Sequence, residues 1–183
     1  TLGSLSALLQ LPLRDKAYIV FTLNRRALLA DTDNLARMLR AMVEAARGVP
    51  IVAPLREPAA ATLRGLSLPE TADFGDFHLV DPMGYLEFSF LTAHALGIVT
   101  DSGNVAEEAT FNSVPCITLN SYTEHIETVK VGSNVLVGED AAQLSAAVDR
   151  MVRRQWKASS IPDRWDGRSA ERILQTLINY AQR

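Results

Sequence analysis

Residues 98–108 read Ile-Val-Thr-Asp-Ser-Gly-Asn-Val-Ala-Glu-Glu, and the rest of the chain is arranged around this stretch. Its β-branched start predicts a buried strand, and the small polar residues after it predict a turn into a helix. The first amides of a helix have no acceptor within it, and the helix dipole adds positive charge there. Ser102, Gly103 and Asn104 are therefore candidates to bind an anion such as a phosphate. Glu108 lies one turn beyond Asn104 on the same face, so its carboxylate is a candidate acceptor for sugar hydroxyls.

A purely structural interpretation of the same residues stands beside this one. Helices often begin at Asp, Ser or Asn because these side chains cap the free amides. Asn104, with Glu107 three residues later, resembles a capping box. On this stretch alone, capping and anion binding are alternatives.

The rest of the chain alternates apolar runs with helical patterns. Strands are predicted at 17–23, 49–55, 77–80, 96–100, 114–119 and 134–137. Helices are predicted at 31–47, 58–66, 85–95, 105–111, 138–154 and 169–182, with a short one ending at Gly132 and a loop at 67–76. This alternation predicts an α/β fold: a Rossmann-like parallel sheet of about six strands with helices on both faces. We expect a single domain over residues 1–183, with residues 1–14 as a linker or lead-in helix.

Polar residues recur where the predicted strands end. They lie at 24–26, Arg56, 81–84, 101–104 and 120–125. Ligands of parallel α/β sheets bind outside the carboxyl ends of the strands, so this recurrence favours a binding crevice over capping alone. Arg25 has a guanidinium suited to phosphate oxygens, and His125 is a candidate phosphate donor. A solvated surface position is the alternative for each.

Composition narrows the classes of function. The chain is 48% hydrophobic and 21% charged, which is typical of a globular domain. A net charge of −3 argues against a nucleic-acid partner, and no apolar run approaches the roughly 20 residues needed to span a bilayer. The single cysteine, Cys116, predicts no internal disulfide and a cytoplasmic location, with an inert buried thiol. His78 and His94 lack Cys, Asp or Glu at metal-ligand spacing, so we expect no metal.

Three segments resemble a known family. Residues 100–109, Thr-Asp-Ser-Gly-Asn-Val-Ala-Glu-Glu-Ala, resemble the Thr-Asp-Ser-Gly-Gly-x-x-Glu-Glu motif of the non-hydrolysing UDP-N-acetylglucosamine 2-epimerases. Residues 80–88, Val-Asp-Pro-Met-Gly-Tyr-Leu-Glu-Phe, resemble their Asp-Pro-x-x-Tyr-x-x-Phe segment. Residues 122–125, Tyr-Thr-Glu-His, resemble their Thr-Glu-Arg-Pro-Glu loop. The likeness covers nearly the whole chain and corresponds to the C-terminal, nucleotide-binding half of a two-domain protein of the glycosyltransferase-B type.

The resemblance implies a site and a reaction. Ser102, Gly103 and Asn104 would hold the diphosphate of a UDP-sugar, and Glu108 the ribose hydroxyls. The backbone of Met83 and the ring of Phe88 would border the uracil. The implied function is the UDP clamp for C2 epimerisation in cell-envelope sugar synthesis, with no cofactor and with an N-terminal domain as partner.

Four departures from the family pattern accompany this likeness. Asn24 and Arg56 stand where the family has histidines, His125 replaces an arginine, and Asn104 replaces the second glycine. The carboxylates that move the C2 proton belong to the N-terminal half. The catalytic residues are therefore unknown, and we expect the isolated domain to be inactive. A non-catalytic UDP-binding homologue and a sugar transferase of the same fold are the alternatives. The sequence leaves open whether two copies form a homodimer.

Overall fold

The computed structural model describes residues 1–66 and 76–182. The strands are β1 (Ile19–Phe21), β2 (Ile51–Pro54), β3 (Phe77–Val80), β4 (Gly97–Thr100), β5 (Cys116–Thr118) and β6 (Asn134–Leu136). The helices are α1 (Leu2–Leu9), α2 (Arg26–Ala30), α3 (Thr32–Ala46), α4 (Ala59–Gly65), α5 (Tyr85–Ala93), α6 (Gly103–Phe111), α7 (Ile126–Lys130), α8 (Ala141–Val152) and α9 (Ser169–Ala181). The loop predicted at 67–76 lies, apart from Asp76, outside the described residues.

The six strands form one parallel sheet in the order β3-β2-β1-β4-β5-β6. The strand order reverses between β1 and β4, which is the switch point at which doubly wound sheets open a crevice. Both β2 and β4 pair with β1, so the chain segments after these three strands leave the same edge of the sheet side by side. The predicted Rossmann-like fold is confirmed.

Both faces of the sheet are covered, which is why the central strands are apolar throughout. Ile19 and Phe21 of β1 point into the core beneath α3, α4 and α8. Val20 points to the opposite face, where α1, α5 and α6 pack. Cys116 is fully buried in β5, and burial raises the pKa of its thiol to about 12, as expected of an inert core cysteine.

Aspartate side chains cap the starts of α3 and α8. The carboxylate of Asp31 accepts from the amide of Asn34 at 3.1 Å and starts α3. Asp140 likewise accepts from Gln143 at 2.8 Å, so α8 begins at Ala141 and the predicted start at Gly138 is wrong. Gly138 has φ of +63°, which no interior helical residue adopts.

The helices α1 and α9, at the two ends of the chain, differ in how far their side chains are buried. Leu5 anchors α1 in the core, so the first residues pack on the domain rather than extending from it. The closing helix α9 forms where predicted, yet none of its residues is buried among the described parts of the chain. No helix of the described residues is long and apolar enough to cross a bilayer.

Candidate functional site

A cavity of about 420 Å³ opens outside the carboxyl ends of the central strands. Its walls come from the residues that follow β1, β2 and β3 and from the beginning of α6. Four of the predicted site residues line it: Met83, Phe88, Ser102 and Asn104. Asn24, which stands where the family has a histidine, lines it as well. The cavity therefore lies where the fold places ligands, and α6 points its N-terminus into it.

The first amides of α6 are only partly capped. The amide of Ser102 donates to Thr100 Oγ1 at 3.0 Å, so it is not free. Ser102 Oγ accepts from the amide of Val105 at 3.5 Å, the outer limit of a hydrogen bond. Among the described residues nothing accepts from the amides of Gly103 and Asn104. A side-chain cap and two amides without an acceptor therefore occur together at the start of α6.

The prediction that Asn104 and Glu107 form a capping box is wrong. Ser102, and not Asn104, is the N-cap of α6. Glu107 does not reach back to the helix start, because its carboxylate lies 2.8 Å from Nδ1 of His125. The loop after β5 is thereby attached to α6 by a side-chain contact that joins residues 18 positions apart.

Glu107 holds the ring of His125 against the helix start. A Cβ atom added to Gly103 would lie 2.5 Å from Cδ2 and 2.6 Å from Nε2 of this ring. Glycine is required at position 103 for this close approach. His125 is thus next to the free amides, although it does not line the main cavity.

A buried hydrogen-bond relay fixes the backbone of His125. Thr118 Oγ1 donates to Asn134 Oδ1 at 2.8 Å, and Asn134 Nδ2 donates to Thr128 Oγ1 at 3.2 Å. Thr128 Oγ1 in turn donates to the carbonyl of His125 at 2.7 Å. Thr128 and Asn134 have no exposed surface. Sequence reasoning missed this relay, although an asparagine inside an apolar strand signals a buried partner.

Asp101 joins the ends of β1 and β4. Its Oδ2 accepts from the backbone amides of Asn24, at 2.7 Å, and Arg25. Thr22 and Thr100 join the same two strands through their hydroxyls at 2.7 Å. Asp101 therefore positions the turn that carries Asn24 into the cavity wall. Sequence reasoning assigned it no role of its own.

Arg25 and Glu108 lie outside the main cavity. The guanidinium of Arg25 is 3.2 Å from the carboxylate of Glu139 and also contacts Asn120. Arg25 lines a neighbouring hollow of about 420 Å³. Glu108 lines a third hollow, of about 450 Å³, with Tyr85 and Trp165 among others. Tyr85 borders both this hollow and the main cavity, so the two adjoin.

Arg56 also lines the cavity, at the exit of β2. Its side chain is exposed, and no described residue forms a hydrogen bond or ion pair with its guanidinium. Within the described residues there is no group of three or more His, Cys, Asp or Glu that could hold a metal ion.

With this geometry established, comparison with known proteins identifies the family. A family model described as UDP-N-acetylglucosamine 2-epimerase matches residues 4–178. The chain belongs to this family. The resemblance seen in the motifs at residues 80–88 and 100–109 is thus confirmed.

Individual epimerase relatives agree with the family match. A UDP-N-acetylglucosamine 2-epimerase homologue of Methanococcus maripaludis is 35% identical over 172 residues, which are 93% of this chain and 47% of that protein. The structure of UDP-GlcNAc 2-epimerase from Methanocaldococcus jannaschii superposes with a TM-score of 0.75 at 32% identity, covering 97% of this chain and 50% of that one. The same enzyme in complex with UDP-GlcNAc and UDP gives a TM-score of 0.71 at 34% identity, over 88% and 45% of the two chains.

These relatives match nearly all of this chain, but the chain spans only about half of their length. A heptosyltransferase from Escherichia coli, bound to an ADP-sugar analogue, shares the fold with a TM-score of 0.54 over 79% of this chain and 45% of that one. At 18% identity this last likeness concerns the fold alone.

Proposed function

We propose that this chain binds a UDP-sugar of the UDP-N-acetylglucosamine type and supplies the diphosphate-holding half of a C2 epimerase. One observation carries the proposal: the amides of Gly103 and Asn104 are free of acceptors among the described residues, beside a cavity at the switch point of the sheet. Support also comes from the Methanocaldococcus jannaschii relative, whose structure contains UDP-GlcNAc and UDP.

The proposed roles follow the position of each group. Ser102, Gly103 and Asn104 hold the diphosphate at the positive end of α6. His125, next to Gly103, donates to a phosphate oxygen. Arg25 adds positive charge from the neighbouring hollow, partly offset by Glu139.

The nucleoside has its own group of contacts. Met83, through its backbone, and Phe88 border the uracil within the main cavity. Glu108 accepts from the ribose hydroxyls in the adjoining hollow. Its position there agrees with a nucleoside that extends from one space into the other past Tyr85.

The chemistry assigns this half a specific task. Epimerisation at C2 breaks and remakes the bond between the sugar and UDP while a proton leaves and returns at C2. Charge develops on the departing diphosphate, and oriented amides stabilise such charge without reorganising. The proton needs an acid and a base, and the amide of Asn24 can act as neither. We therefore propose that the acid and base come from the other half and that this chain alone is inactive.

Binding is tested directly by titrating the chain with UDP and UDP-N-acetylglucosamine in a calorimeter and by following its thermal unfolding. Ligand at a hundred times its Kd should stabilise the fold by about 2.7 kcal/mol. EDTA should leave this value unchanged if the site binds its ligand without a metal ion. CMP serves as a matched nucleotide that lacks both the uracil and the second phosphate. Failure of UDP and its sugar to bind would refute the proposal.

Epimerisation itself requires the complete protein that the gene encodes. Incubation with UDP-N-acetylglucosamine in heavy water should place deuterium at C2. Tight UDP binding without deuterium incorporation would instead identify a non-catalytic UDP-binding protein. Asn24→His then tests whether the asparagine at position 24 is by itself the reason for the missing reaction.

A cytoplasmic location and self-association are further parts of the proposal. The single cysteine of the sequence, Cys116, agrees with a reducing compartment. Light scattering on the purified chain tests whether it forms a homodimer, and fractionation of cells tests the location.

A further inference from the structure

A hydrogen bond beside the start of α6 fixes which nitrogen of His125 carries a hydrogen. Glu107 Oε1 lies 2.8 Å from Nδ1 of this ring. A carboxylate has no hydrogen to donate, so the hydrogen of this bond belongs to Nδ1. A neutral imidazole carries one hydrogen, and the partner of one nitrogen decides which of the two holds it. With Glu107 in place, Nε2 of the neutral ring therefore presents only a lone pair.

Nε2 lies beside the amides that are proposed to hold the diphosphate. A Cβ atom added to Gly103 would lie 2.6 Å from it. No described residue forms a hydrogen bond with Nε2, and 32% of the His125 side chain is exposed, so a ligand can reach the ring. Phosphate oxygens that have lost their protons only accept hydrogen bonds. A neutral His125 would turn a lone pair towards them, whereas an imidazolium has an N–H on both nitrogens.

The charges around His125 favour the imidazolium once an anion is bound. In the described part of the chain, Glu107 is the one charged side chain within ion-pair distance of the ring. A diphosphate at the start of α6 would add a second negative charge on the Nε2 side, and nearby anions stabilise a cation. The other charged side chains of the neighbouring segments form no hydrogen bond or ion pair with this ring: Asp101 after β4, Glu108 on α6, Glu124, Glu127 and Lys130 in and before α7, and Lys157 after α8.

We propose that Glu107 makes His125 bind the diphosphate as an imidazolium, so that binding of a UDP-sugar takes up a proton. This coupling rests on the proposed function, because it requires a diphosphate at the start of α6. As the pH rises, loss of the proton from the ring competes with binding, so the affinity for the UDP-sugar falls. Glu107 acts through His125 and is a positioning residue.

The test is calorimetric titration of the wild-type chain with UDP-N-acetylglucosamine at about pH 6 and pH 8, the range in which imidazoles change their charge. This ligand has no group that titrates between these values, whereas the terminal phosphate of UDP does. The Kd should be roughly tenfold larger at the higher pH, the size of effect expected of one charge-assisted hydrogen bond. Titrations at pH 7 in two buffers of different ionisation enthalpy should show a net uptake of up to one proton.

Three variants separate the roles of the two side chains. Glu107→Gln can donate its amide hydrogen to Nδ1, which allows the neutral ring to hold its hydrogen on Nε2. The affinity at pH 8 should then approach that at pH 6, and the proton uptake should fall. His125→Gln should bind equally weakly at both pH values. His125→Arg keeps a charged N–H donor at both pH values and should bind tightly at each, without proton uptake.

His94→Gln is the matched control. His94 also contacts a carboxylate through Nδ1, that of Asp15 at 2.8 Å, but it caps the end of α5 at the opposite edge of the sheet. This variant should keep the pH dependence and the proton uptake of the wild type. A wild type without either property would overturn the proposal, as would unchanged pH dependence in His125→Gln or in Glu107→Gln. A wild type that binds at neither pH would refute the proposed function, and the coupling with it.

Discussion

At the scale of single residues, Gly103 couples the start of α6 to the ring of His125. Any side chain at position 103 must displace this ring, because the added Cβ would lie 2.5 Å from it. We expect Gly103→Ala to weaken UDP binding about tenfold, the loss expected when one charge-assisted hydrogen bond is removed. Gly65→Ala is the control, since nothing lies within 4 Å of a Cβ at that exposed helical position. Calorimetry with UDP measures both variants, and an unchanged Kd for Gly103→Ala would contradict the assignment.

At the scale of elements, the relay from β5 and β6 to α7 positions His125. Thr128→Val removes the hydroxyl that accepts from Asn134 and donates to the carbonyl of His125. It should lower the free energy of unfolding by about 1–3 kcal/mol, because buried polar groups lose their partners. It should also weaken UDP binding, because the carbonyl of His125 loses its hydrogen bond and only Glu107 then positions the ring over Gly103. Thr128→Ser should restore both properties.

Ser133→Ala is the matched control for this relay. Its hydroxyl is also buried and donates to the carbonyl of Val114 at 2.6 Å, but it has no link to His125. Denaturant unfolding should show a similar loss of stability, while UDP titration should show unchanged affinity. Equal loss of UDP affinity in Thr128→Val and Ser133→Ala would mean that the relay supports the fold only.

The start of α9 provides a prediction about pH. Hydrogen bonds from Arg172, at 2.5 and 2.9 Å, and from the amide of Arg168 hold the pKa of Asp166 at about 2, well below its ordinary value. Because the folded-state pKa lies below the unfolded one, this contact stabilises the helix start above about pH 4. The stabilisation is lost as the pH falls through about 2. Titration of the carboxyl carbon by NMR should give a midpoint near 2 in the wild type. The midpoint should be higher in Arg172→Gln but still below the ordinary value of about 4, because the amide of Arg168 continues to donate.

At the scale of the whole molecule, α9 has an apolar face that the described residues leave open. Ile173, Leu174 and Leu177 are about 60% exposed. Replacing Leu174 or Leu177 by Glu should therefore change the stability of this chain by less than about 0.5 kcal/mol. Leu144→Ala in α8, where the side chain is buried under the sheet, should cost about 2–5 kcal/mol. Urea unfolding measures both, and a large loss in Leu174→Glu would show that this face is covered in solution.

The sequence alone determined the α/β fold and the family, and it predicts an anion site at the start of α6. Apolar runs long enough to be buried on both faces, alternating with amphipathic helices, leave few arrangements other than a parallel sheet. The α2 helix was not predicted from the sequence, and the five-residue α7 helix was, so length alone does not explain the difference. Helical periodicity also identified the apolar face of α9, but it does not tell whether another part of the protein covers that face.

Only the tertiary structure decided which polar residues share a space. Glu108 and Asn104 are one turn apart in sequence, yet they line different hollows, whereas Arg56 and Ser102 lie far apart in the chain and line the same one. The pairing of Glu107 with His125 and the relay through Asn134 likewise join distant segments. The spacing of apolar residues in the sequence indicates whether a segment is a helix or a strand and which of its faces is buried. The meeting of side chains at the edge of a sheet depends on strand order, which is set by the packing of the whole chain.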